Sequence, residues 1–138
     1  MTGAELQKII DDYCVMASNT VLGFLFMGVM SYSDGSMISK VSNGTPFAKI
    51  IEDDISSMLL VIHKVRSVIT SSQGVVEMKM ELIHIETDKV IYIISVSNTG
   101  DYFSILVLDR DKANVGIARA MYYKGKQILY KAVSELES

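Results

Sequence analysis

Residues Pro46 to Ser72, PFAKIIEDDISSMLLVIHKVRSVITSS, constrain the fold of this chain more than any other stretch. The spacing predicts one α-helix of about seven turns. Phe47, Ile51, Ile55, Met58, Ile62, Val65 and Ile69 recur at steps of four and three, which is one helical face. Ile50, Val61 and Val68 flank that face on one side, and Ala48 and Leu59 on the other. At about 100° per residue the apolar arc covers roughly half the circumference. A helix that only covers its own sheet needs less. Two readings fit: a deeply buried helix in a monomer, or a helix that covers its sheet and also meets a second copy of itself.

The remaining chain supplies the sheet. Leu6, Ile9, Ile10, Tyr13, Met16 and Ala17 predict a first helix over 4–18, started by Thr2 and Glu5 at capping-box spacing. Residues 20–32, TVLGFLFMGVMSY, read as a strand buried on both faces, with Gly23 and Gly28 as places for close approach or bulging. Ser33-Asp34-Gly35 is a hairpin turn into an exposed edge strand at 36–41. Thr45 caps the long helix, Pro46 suits its first turn, and Gly74 ends it. Strands are expected over 75–86, 89–97 and 102–109, with a bulge or change of environment near Ile83 and Ile85. Asn114 caps a last helix from Val115 to about Leu136. Gly125 lies inside its apolar stripe, so another backbone is expected to pass close by.

The order is α-β-β-α-β-β-β-α. Short turns link the consecutive strands, so these pairs are antiparallel. Strands buried on both faces need helices on both sides. The expectation is an α/β fold: a single antiparallel five-stranded sheet covered on both faces, in one domain spanning residues 1–138. Hydrophobic residues are 49% and charged residues 21%, a globular balance. The net charge of −3 gives no general attraction to nucleic acid or to an anionic membrane, and no direct membrane insertion is expected. The one cysteine, Cys14, excludes an intrachain disulfide and fits a reducing compartment; it reads as a small core residue. No signal-like or membrane-spanning run is evident, so a cytoplasmic protein is expected.

Motifs for chemistry are sparse. His63 and His84 have no metal-ligand spacing around them. There is no GxxxxGK[ST] loop and no GxGxxG after a strand. Asp53 and Asp54 point apart on a helix, and Asp109 with Asp111 reads as a solvated turn. No catalytic residue, metal site or cofactor is expected. Leu60 is more informative. It falls on the polar side of the long helix among Lys49, Asp53, Ser56, His63, Lys64 and Ser67. A polar face with an apolar anchor is the composition of a docking surface.

The strand, turn and strand at Tyr32-Ser33-Asp34-Gly35-Ser36-Met37-Ile38, and the last strand Tyr102-Phe103-Ser104-Ile105-Leu106-Val107-Leu108 leading into Asn114-Val115-Gly116-Ile117-Ala118-Arg119, resemble the roadblock/dynein light chain family of the roadblock–longin group. The order of elements agrees over essentially the whole chain. The resemblance implies a homodimer, or a heterodimer with a paralogue, whose long helices lie side by side and whose following edge strands pair. Here the interface would involve Ile55, Met58, Leu59, Ile62, Val65 and Ile69, with Met78, Met80 and Leu82 on the edge strand. It also implies binding to a Ras-like small GTPase as activator or scaffold, without a catalytic motif and without an inserted arginine. The face with Leu60 is where that GTPase would rest. The alternative is a profilin-like sensing domain that binds a small molecule against the sheet.

Overall fold

The computed structural model describes residues 2–71, 81–97 and 101–137. Helix α1 runs Gly3–Thr20, strand β1 Phe24–Ser31 and strand β2 Met37–Ser42. Helices α2, Pro46–Asp54, and α3, Met58–Ser71, follow. Strands β3 Leu82–Glu86, β4 Val90–Val96 and β5 Tyr102–Asp109 lead into helix α4, Val115–Glu137. The three expected caps are formed. Thr2 Oγ1 accepts from the Glu5 N–H, Thr45 Oγ1 from Ala48 and Asn114 Oδ1 from Ile117.

The five strands form one sheet in the order β2-β1-β5-β4-β3, and every neighbouring pair is antiparallel. This is the α/β architecture expected from the sequence. β1 and β5 lie inside the sheet and are buried on both faces through most of their length. One face packs under α1 and α4, where Ile10, Tyr13, Cys14, Met27, Leu106, Met121 and Leu129 join one core. The other packs under α2 and α3, where Phe26, Met30, Ile51, Ile55, Ile62, Ile94, Phe103 and Ile105 join a second. Removal of this apolar surface from water is the main favourable term in both layers.

The expected long helix is interrupted. Residues Ile55–Ser57 form a 3-10 turn, and the Met58 N–H reaches the Ile55 and Ser56 carbonyls. Asp54, Ser56 and Ser57 are residues whose side chains compete with helical backbone bonding, and they cluster at the break. Three residues at about 120° instead of about 100° add roughly 60° of rotation. The buried row of α2 is therefore Ala48 and Ile51, followed by Ile55, while Phe47 stands 40% exposed.

Of the bulge or change of environment expected near Ile83 and Ile85, the structure has the change of environment. The pairing of β3 with β4 runs without a shift from Leu82 to Glu86. Ile83 and Ile85 point to the α2–α3 core and Leu82 to the other. The register shifts lie in β1, between Val29 and Met30 and between Phe24 and Phe26. The expected helix end at Gly74 and most of the expected strand before Glu81, including Met78 and Met80, lie outside the described residues. Gly125 is buried by a side chain and not by a backbone: its neighbour is the Tyr13 ring of α1.

Candidate partner-binding face

The outer surface of α2 and α3 carries the polar stripe seen in the sequence. Lys49, Asp53, Ser56, Leu60, His63, Lys64 and Ser67 are all exposed, and the 3-10 turn lies within the stripe. Leu60 is 74% exposed, the most exposed of the large hydrophobic side chains described. Lys49 Nζ pairs with Asp53 Oδ1 at 3.0 Å across one helical turn. The hydrogen bond and charge of Asp53 hold the Lys49 ammonium above its ordinary range.

His63 does more than face water. Its Nε2 lies 3.1 Å from the Tyr32 carbonyl at the end of β1. A carbonyl only accepts, so this bond requires the proton on Nε2. The His63 and Tyr32 rings are 4.6 Å apart, and the Arg66 guanidinium sits 4.8 Å above the same Tyr32 ring as a cation–π contact. The Tyr32 ring also meets Phe103 edge-on at 6.4 Å. Nearby, Gly35 takes φ +74° in the turn between β1 and β2, and a Cβ there would stand 3.0 Å from Leu59 Cδ2. Leu59, His63 and Arg66 thus clamp the β1–β2 turn onto α3. Nothing local in the sequence marked this cluster, because Tyr32 and His63 are 31 residues apart.

The residues expected between two copies divide. Ile55 and Ile62 are 4% and 0% exposed within the chain alone, so they belong to its own core. Met58, Val65 and Ile69 are half-buried. Leu59 is half-buried against the turn and lies on the opposite flank of α3 from Val65. Leu82 is half-buried on edge strand β3. Apolar side chains left outside include Phe47 and Ile50 on α2, the latter at 60% exposure, with Val61 and Val68 on α3. Asp54 is exposed; burial first and the Asp54 charge second push the Tyr92 hydroxyl above its ordinary range.

The faces of the sheet are filled by the two cores, and an open depression lies at the edge where α1 ends. Ser18, Leu22, Ser42, Asn43, Asp109 and Lys112 contribute to its lining. No group of His, Cys, Asp and Glu side chains suited to a metal ion occurs among the described residues. No helix among them is long and apolar enough to cross a membrane.

No family model matches the sequence, and no curated protein matches it. Solved structures do match. MglB of Myxococcus xanthus superposes with a TM-score of 0.74 at 15% identity, covering 99% of this chain and 95% of that one. The gliding protein MglB of Thermus thermophilus gives a TM-score of 0.69 at 11% identity, with 98% and 95% covered. A roadblock/LC7 domain from Streptomyces avermitilis gives 0.67 at 14% identity, with 93% and 98% covered. The chain has the roadblock/LC7 fold.

Proposed function

We propose that this protein is a non-catalytic, dimeric regulator that binds a Ras-like small GTPase and alters its nucleotide cycle or its location. The observation that carries the proposal is the exposed stripe of α2 and α3, with Leu60 as an apolar anchor among polar side chains, on a roadblock/LC7 fold. Lys49, Asp53, Ser56, His63, Lys64 and Ser67 form the polar rim. Arg66 is held on Tyr32, so its role is to steady the β1–β2 turn and not to reach into a nucleotide site. The dimer uses the exposed row of Ile50 and Val61, the half-buried Met58, Val65 and Ile69, and the edge strand that includes Leu82. Exposed apolar rows beside an unpaired strand edge are surfaces that water covers poorly.

The test is a pull-down with purified small GTPases loaded with GTP analogue or GDP, followed by a hydrolysis assay with and without this protein. Binding that depends on the nucleotide and on Leu60 is expected. Binding by neither loaded form of any GTPase encoded beside this protein would sink the proposal. Light scattering at tens of micromolar tests the assembly, and a monomer there would remove the dimer from it.

A further inference from the structure

The chain carries a net charge of −3, but its charge is unevenly placed. Residues 112–134 hold five of its 13 basic residues and none of its 16 acidic ones. Four of those five, Arg119, Lys124, Lys126 and Lys131, lie on α4. The buried side of α4 is set by Ala118, Met121, Tyr122, Gly125 and Leu129. Arg119, Tyr123, Gln127 and Lys131 follow at steps of four on the opposite side, so they form one ridge about 18 Å long. Lys124 flanks it, also exposed.

Among the described residues the cations of this ridge have no carboxylate partner. Lys8, Lys40, Lys49 and Arg110 each pair with a carboxylate. Arg119, Lys124 and Lys131 pair with none among the described residues. Lys126 leans over the Tyr122 ring at 5.8 Å and meets its hydroxyl at 3.4 Å. On the neighbouring helix Asp12 is held by Lys8 and Asp11 by Gln7 and Ser39. In the middle stands Tyr123, 55% exposed, its ring 4.9 Å from that of Tyr122.

We propose that the outer face of α4 rests on an anionic lipid surface. The ridge is the convex outer side of a single helix. Arg119, Lys124 and Lys131 are long side chains with no carboxylate partner among the described residues, which suits a diffuse field of headgroup charge better than a few placed carboxylates. An exposed tyrosine among them has an apolar ring and a polar tip, the character that favours headgroup depth. A second copy is a poor occupant, because two of the three α1 carboxylates that it would offer, Asp11 and Asp12, are already engaged. The overall negative charge is no obstacle: screening beyond about 10 Å leaves a surface to respond to the charges nearest it. The contact is peripheral, since α4 spends its apolar side on the sheet. The α2–α3 face stays free for a protein partner on the other side of the molecule.

Each cation near an anionic bilayer strengthens binding about fivefold. The experiment is sedimentation of the full chain with vesicles of phosphatidylcholine alone, or with about 30 mole per cent phosphatidylserine, at low and high salt. Wild type is expected to bind only the anionic vesicles and to be released by salt. The triple variant R119E/K124E/K131E should lose at least about a hundredfold in binding with an unchanged melting temperature. The milder R119Q/K124Q/K131Q should fall between, and Tyr123→Ala should lose severalfold. Failure of wild type to bind anionic vesicles at low salt would overturn the proposal, as would equal binding by the charge-reversed variant. Loss of GTPase capture with vesicle binding intact in that variant would assign the ridge to a protein partner and also overturn it. Loss of anionic-vesicle binding by that variant, with the melting temperature unchanged, is the supporting result, and it stands whether or not the protein captures a GTPase.

Discussion

The ring of Tyr13 lies on Gly125 so closely that a Cβ at position 125 would stand 2.0 Å from the tyrosine Cζ. The same phenol donates to the Met121 carbonyl at 3.2 Å, one turn earlier on α4. The glycine is therefore the seat on which α1 and α4 cross, and the helix propensity lost there, about 1 kcal/mol, is offset by this contact.

Gly125→Ala should destabilise the fold by about 1–3 kcal/mol even though alanine is the better helix former. Denaturant unfolding measures this. In the background of Tyr13→Ala the same substitution should become neutral or stabilising, because the ring it strikes is gone. An unchanged midpoint for Gly125→Ala in the native background would refute the crossing described here.

Leu60 and Ile62 are two positions apart and have opposite environments, 74% and 0% exposed. Leu60→Asp should leave stability within about 0.5 kcal/mol and weaken GTPase binding at least tenfold. Ile62→Asp buries an unpaired charge and should cost several kcal/mol, enough to prevent folding. Thermal melts and the pull-down distinguish the two. Equal behaviour of the variants would contradict the division of the helix into two faces.

The exposed row of Ile50 and Val61 tests the dimer separately. Ile50→Glu with Val61→Glu should convert a dimer to a folded monomer in light scattering, with far-ultraviolet circular dichroism retained. A dimer of undiminished affinity would move the contact elsewhere.

Burial pushes the Cys14 thiol up to about 11; the nearby Asp11 charge adds to this, and a hydrogen bond with Ser39 opposes it. Burial also pushes the Tyr102 and Tyr122 hydroxyls up to about 12. These groups hold their protons more firmly folded than unfolded. The stabilisation from each is complete below its unfolded value and is lost as the pH rises through the folded one. The melting temperature should therefore fall between pH 9 and 11 through the thiol, and further above pH 10 through the two phenols. Cys14→Ala should flatten the first part of that fall. A flat profile for the native chain would show that these side chains are wet.

Element order was legible in the sequence because it rests on local signals: the Thr45-Pro46 start, the Asp34-Gly35 turn and the apolar strands at Leu25 to Met30 and Ile105 to Leu108. The outer stripe with Leu60 was legible for the same reason. The 3-10 turn was not, because the apolar steps of four and three continue across Asp54 to Ser57 without a glycine or proline. The clamp of Leu59, His63 and Arg66 on the β1–β2 turn was not legible either. It joins residues distant in sequence, and only the packed sheet brings them together. Gly125 announced a close neighbour, but a small residue says nothing about what fills its space.

The strand order has a consequence for synthesis. β1 pairs with β5, so the first strand made is completed on that side only by the last. Until Tyr102–Asp109 leaves the ribosome, Phe26, Met27 and Met30 have no inner neighbour, and neither does β4. A nascent chain stalled before that point displays two unpaired strand edges and two incomplete cores. Folding must wait for a long-range closure, which slows it relative to a chain of local hairpins. The stretch from β1 to β4 is thus where a chaperone would find this protein.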